Sequence, residues 1–216
     1  MVSGHVDLVA PEGRAVRGGL ANTAVWLTPL SGSPVPAASS ERRPIPRLVQ
    51  KNKSFQPRVV LLRAGTAVEF PNHDPFFHNV FSLFEGKRFD LGLYEAGGTR
   101  TVHFDRAGAS YIFCNIHPEM SAVVIAVATP YYALSDATGN VSIPAVPPGR
   151  YMLHLWNERV LPDSADAVRE LTITGGSVSF GTLRLPVAAG PDAPHKNKYG
   201  RDYDPTTPSN PIYEQP

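Results

Sequence analysis

Residues 110–127 read SYIFCNIHPEMSAVVIAV. Two runs rich in Tyr, Ile, Phe and Val, the residues that favour strands, flank a loop only a few residues long. The loop carries Cys114, His117 and Met120 in a Cys-x2-His-x2-Met spacing, so a turn this tight brings a thiolate, an imidazole and a thioether to one point. Soft sulfur together with imidazole suits a copper ion that cycles between Cu(I) and Cu(II). Alone, Cys-x2-His would be a weak signal, because a free Cys is commonly a buried core thiol and a Met commonly packs. A second imidazole would complete a His2Cys plane, and residues 70–82, FPNHDPFFHNVFS, offer two candidates, His73 and His78.

Outward from that loop, residues 58–65 (RVVLLRAG), 66–72 (TAVEFPN) and 99–105 (TRTVHFD) read as further strands bounded by Gly, Pro, Asn or Asp. Residues 31–47, SGSPVPAASSERRPIPR, have no hydrophobic period and the composition of a linker. Before them, HVDLVA and TAVWLTPL read as two strands joined by the turn-forming PEGRAVRGG. After Pro130, residues 131–158 read as a hairpin in which DATGN turns and PPG precedes the alternating YMLHLW, and residues 169–185 add one or two strands. From Val187 onward the chain is Pro-rich and polar with almost no aliphatic side chains, the composition of a flexible tail or of an arm lying on the surface.

The 22 Pro and 18 Gly among 216 residues are spread along the chain, which favours short strands and turns over long helices. Lys and Arg total 20 against 19 acidic residues, so no net field draws nucleic acid or an anionic membrane. No apolar run approaches the roughly 20 residues that span a bilayer, and the first residues lack the layout of a signal peptide. Met1 stands directly before a strand pattern, so the expectation is an exported protein whose leader has been replaced by a start Met. One Cys forms no internal disulfide and leaves the redox compartment open.

Over residues 48–129 the chain resembles the cupredoxins, the plastocyanin and amicyanin family. His78-Asn79-Val80 matches that family's His-Asn-Val step, and Cys114, His117 and Met120 match the short, amicyanin-like ligand loop. The resemblance implies a Greek-key β-sandwich with one copper held by His78, Cys114 and His117 and, as a weak axial ligand, Met120. It also implies that Asn79 bridges to the Cys-bearing loop, that Asn79 and Asn115 surround the thiolate, and that Pro118 with Phe76 and Phe77 rims a docking surface. His73 and Glu119 stand as secondary metal contacts. FPNHD, HNVFS, FDLG and CNIHP are similar to segments of bacterial periplasmic cupredoxin-like proteins, some labelled methylamine utilisation proteins. The segments 1–30 and 130–186 resemble the two parts of a carboxypeptidase-regulatory-like, transthyretin-type sandwich, on AVWL and SDATGNVSIPAVPPGRY. The expected architecture is therefore all-β: a discontinuous sandwich of 1–30 and 130–186, a linker at 31–47, a cupredoxin domain at 48–129 inserted in or joined to it, and a tail at 187–216.

The function implied is that of a type 1 (blue) copper protein passing single electrons between redox partners in the periplasm, not an enzyme. No hydrolytic triad, phosphate-binding Gly loop or paired-carboxylate pattern is present in the sequence. Two alternatives differ in chemistry. Copper storage, delivery or tolerance would favour exchangeable Met- and His-rich sites, against three Met in the chain. A copper centre with an open position for a small molecule would need Met120 displaced, with Glu119 beside the loop. His103 and His154, in alternating strands, are expected to face solvent, and His5 and His195 to stand without partners.

Overall fold

The computed structural model describes residues 1–10, 12–16, 18–30, 44–83, 86–160, 168–187 and 195–203, so most of the expected linker and tail lie outside the described residues. Every regular element among the described residues is a strand. In chain order these are β1 (Val2–Val9), β2 (Ala24–Pro29), β3 (Val49–Gln50), β4 (Phe55–Gln56), β5 (Val59–Arg63), β6 (Thr66–Pro71), β7 (His78–Ser82) and β8 (Phe89–Tyr94). They continue with β9 (Thr99–Phe104), β10 (Gly108–Cys114), β11 (Ser121–Val127), β12 (Tyr132–Leu134), β13 (Asn140–Ile143), β14 (Gly149–Trp156), β15 (Val168–Ile173) and β16 (Val178–Pro186). The all-β class follows from the sequence as expected. No described helix is long and apolar enough to cross a membrane.

The chain forms two compact units. One gathers the described residues within Met1–Ser40 and Val127–Pro191, the other those within Glu41–Ala126 and Asp192–Pro216. In the first, sheets ordered β13-β1-β16 and β12-β2-β14-β15 enclose a core that includes Val6, Leu8, Val25, Leu27, Leu153 and Leu185. β1 and β2 pair with strands beyond Pro130: β1 lies antiparallel to β13 and parallel to β16, and β2 lies antiparallel to β12 and β14. The DATGN turn closes through the Asp136 carboxylate, whose Oδ1 accepts from the Thr138 and Asn140 N–H groups at 2.9 Å each. Two histidines here depart from expectation. His5 is paired with Asn140 Oδ1 at 3.1 Å and Asp7 Oδ1 at 3.0 Å. His154 is half-buried because its ring stacks on Trp26, its register partner on β2, at 5.2 Å. His103, in contrast, is exposed as alternation predicts.

The second unit carries the ligand loop. A five-stranded sheet, β5-β11-β10-β7-β8, and the pairs β6-β9 and β3-β4 surround Leu48, Phe55, Leu62, Val68, Phe70, Tyr94, Phe104, Ile112 and Val124. Antiparallel pairing aligns Phe113 with Phe81 and Cys114 with Val80, so the last residue of β10 lies opposite the middle of β7, two residues from His78. That register puts His78, two residues from Val80 and so on the same face of β7, within reach of Cys114. A break in the β7–β8 register lies between Asn79 and Phe81, and Gly92 opposite it has φ +67°, a conformation that favours glycine.

Candidate metal centre

Three side chains converge at this strand end. Cys114 Sγ lies 3.6 Å from Nδ1 of His78 and 3.6 Å from Nδ1 of His117, and the two nitrogens are 3.2 Å apart. A point equidistant from atoms so spaced lies about 2 Å from each, the length of a metal–imidazole bond and slightly less than a metal–thiolate bond. The residues therefore fit a single metal ion in a His2Cys plane. His78 and Cys114 are fully buried, and His117 is 8% exposed. His117 reaches the point because residues 115–120 form a closed turn, with Met120 N–H donating to His117 O at 3.1 Å and Cys114 N–H to Met120 O at 3.3 Å. Met120 is itself fully buried in the same core as Cys114.

The tautomer of His78 is set from behind. Its Nε2 lies 2.9 Å from Oδ2 of Asp74, and an ionised carboxylate only accepts, so Nε2 carries the proton and Nδ1 turns its lone pair toward the site. Asp74 is 4% exposed. Its carboxylate also accepts from the N–H groups of Asn52 at 2.5 Å and Lys53 at 3.0 Å, which converge because both residues have positive φ, 55° and 52°. Burial pushes the Asp74 carboxyl upward, but the bonds from His78 and from these two N–H groups outweigh it and hold the group below the ordinary range. Burial lowers His78 as well, against the opposing pull of Asp74, and takes His117 down to about 4. Both imidazoles are thus neutral donors at neutral pH. Burial raises the Cys114 thiol, while the N–H groups of Asn79, Ile116 and His117 partly offset it, so metal binding would displace a thiol proton.

The other expected residues take varied places. Asn79 bridges to the Cys-bearing loop through its backbone, accepting from Asn115 N–H at 2.9 Å, while its side chain donates instead to Asp90 Oδ1 at 2.6 Å and Gly92 O at 3.0 Å. Asn115 uses its side-chain oxygen to accept from the Lys198 N–H at 3.0 Å. Phe76 packs against both imidazoles, its ring 5.4 Å from His78 and 5.4 Å from His117, with Lys53 Nζ 5.4 Å from its centroid. Phe77 is half-buried, and Pro118 and Glu119 are exposed. His73 is exposed and does not belong to the converging donors. His195 is not solitary: it stacks on Phe113 at 4.0 Å.

Asp74, Lys198 and Tyr203 join the site beyond the residues expected from the sequence. A signal for Asp74 was present in the FPNHD segment, a carboxylate four residues before a ligand candidate. No local pattern marked Lys198 or Tyr203, whose partners are 83 and 89 residues away.

No family model matches this sequence, and no curated protein matches it. Among solved structures the chain is similar to amicyanin from Paracoccus versutus, at 24% identity and a TM-score of 0.37 over 47% of this chain and 97% of that one. A purple cupredoxin from Nitrosopumilus maritimus matches at 20% identity and a TM-score of 0.35, over 38% of this chain and 99% of that one. A Cu-containing nitrite reductase from Thermus scotoductus SA-01 matches at 24% identity and a TM-score of 0.37, over 44% of this chain; the match spans 25% of the reductase.

Proposed function

We propose that this chain is a type 1 copper protein that passes single electrons between redox partners, with His78, Cys114 and His117 in the copper plane and Met120 as the axial ligand. The observation that carries the reading is the triangle of two Nδ1 atoms and one Sγ, with sides of 3.2, 3.6 and 3.6 Å, already closed around a metal-sized point. Copper supplies a one-electron Cu(I)/Cu(II) couple when bound to such donors. The chain's own residues hold the donors still. Asp74 fixes the His78 ring, the β7–β10 register fixes Cys114 against Val80, and the closed turn fixes His117. Donors that need not move contribute little reorganisation to electron transfer. His117, the one partly exposed ligand, lies next to exposed Pro118 and under Phe76, so its edge is the route by which a partner reaches the site. An apolar rim there suits brief docking with little loss of hydration.

Delivery of copper to an acceptor is disfavoured by the same burial, because two of the three donors have no exposed surface for a competing ligand to approach. The reading includes one copper per chain, an exported location, a protein redox partner and a carboxypeptidase-regulatory-like, transthyretin-type architecture for the unit built on β1 and β2.

Absorption and electron paramagnetic resonance spectra of the Cu(II)-loaded chain test it. An intense thiolate-to-Cu(II) band that Cys114→Ser abolishes is the expected result. His78→Ala should disrupt the band and His73→Ala leave it nearly intact. Absence of the band in the unaltered chain, or its survival in Cys114→Ser, rejects the assignment.

A further inference from the structure

Residues 195–203 belong to the Pro-rich C-terminal segment, whose composition alone offers little to bury. They nonetheless hold the three residues that lead into the ligand loop. His195 stacks on Phe113 with ring centroids 4.0 Å apart and planes 25° from parallel. Tyr203 Oη donates to the Cys114 carbonyl at 2.6 Å, and the Lys198 N–H donates to Asn115 Oδ1 at 3.0 Å. The segment is braced internally. Asn197 Oδ1 accepts from the N–H groups of Tyr199 at 2.9 Å and Arg201 at 3.1 Å, and the Tyr203 ring meets His195 edge-on at 5.3 Å.

Lys198 then closes a circuit. Its Nζ lies 2.9 Å from Asp90 Oδ2, while Asp90 Oδ1 accepts from Asn79 Nδ2 at 2.6 Å. Asn79 O in turn accepts from Asn115 N–H, and Asn115 Oδ1 returns to the Lys198 backbone. Asn79 follows His78 and Asn115 follows Cys114, so one loop of hydrogen bonds ties both ligand-bearing segments to the C-terminal residues.

We propose that residues 195–203 are a strap that completes the ligand loop from outside, with Tyr203 and Lys198 as positioning residues for the Cys114 thiolate. Holding the Cys114 carbonyl fixes the peptide plane and hence the direction in which Sγ leaves β10. The role in tuning bound copper rests on the copper reading above; the role in holding Cys114 does not.

Full-length Tyr203→Phe and Tyr203→Phe/Lys198→Ala chains test the strap. The first variant keeps the ring on His195 and removes only the hydroxyl. In the metal-free chain, iodoacetamide should alkylate Cys114 about 3- to 10-fold faster in the single variant, the factor for one lost hydrogen bond, and faster again in the double one. After Cu(II) loading, release to a chelator should accelerate in the same order, and the thiolate-to-Cu(II) band should shift. Alkylation within twofold of the unaltered chain in both variants overturns the proposal. Should the double variant fail to fold, Tyr203→Phe decides alone. If the unaltered chain shows no thiolate band, the copper reading fails while the strap is still judged on metal-free alkylation.

Discussion

Asp74 ties the His78 ring to the backbone of Asn52 and Lys53. Its Oδ2 takes bonds from both Lys53 N–H and His78 Nε2, and its Oδ1 takes one from Asn52 N–H. Two residues sit in left-handed conformations to make this possible, at about 1–3 kcal/mol each, so the carboxylate is maintained against a local cost. An anionic partner makes the His78 imidazole richer in electrons and favours the higher oxidation state of a bound metal. Asp74→Asn keeps an acceptor for His78 but removes the charge and turns an NH2 toward the Asn52 N–H. The expected result is a reduction potential raised by on the order of 50 mV, from about 1 kcal/mol of lost charge assistance, with metal affinity weakened about 10- to 100-fold. Voltammetry and competition with a chelator measure the two. A lowered potential would show that the His78–Asp74 pair does not act on the metal in this way.

At the level of elements, turns and strands were legible to different degrees. β10 and β11 stand out because a run of Ile, Phe and Val flanks a ligand loop. β7 and β8 were not read as strands. HNVFS is buried at all five positions, so no alternation distinguishes it, and FDLGLY is interrupted by Gly92 where the strand bulges. The DATGN turn was legible because its chemistry is local, and it supports a direct test. Gly139 has φ +87°, and a Cβ there would lie 2.4 Å from the Val6 carbonyl oxygen, a backbone atom that cannot swing aside. Gly13 has a similar φ, +82°, with nothing within 4 Å. Gly13→Ala should cost about 1 kcal/mol for its backbone conformation, and Gly139→Ala about 1–3 kcal/mol more for the collision. Urea unfolding curves compare them. Equal costs would mean that the turn moves away from β1 freely.

For the whole metal-free molecule, buried histidines set the response to pH. Burial is the leading cause of the low pKa of His78, His117 and His154, with His117 reaching about 4 from an ordinary 6.5. The unfolded chain therefore binds protons that the folded chain refuses. Stability should fall as pH drops from about 6.5 toward 4, where the histidine contribution to the loss levels off. His5 opposes this, since Asn140 first and then Asp7 raise it against burial, but it is a single site with much of its surface in water. Asp74 and Asp90, both held low, withdraw their contribution only below the ordinary carboxylate range. Melting temperatures of the metal-free chain at pH 7.5, 6 and 5 should decline in that order, with a shallower decline in His117→Gln. A flat or rising series would contradict the assignment of these histidines as neutral and buried.

The sequence by itself determined the all-β class and the donor types, because strand preference and the Cys-x2-His-x2-Met spacing are written over a few adjacent residues. Its two upstream histidines were separated only by the resemblance of His78-Asn79-Val80 to a His-Asn-Val step, which pointed to His78. The tertiary structure puts Nδ1 of His78 3.6 Å from Sγ of Cys114 and leaves His73 exposed. Tertiary structure alone supplied the contacts of Tyr203 and Lys198 with Cys114 and Asn115. Those contacts join residues 83 and 89 positions apart. Their energy comes from polar groups meeting across the fold, and no local period or composition encodes such a meeting.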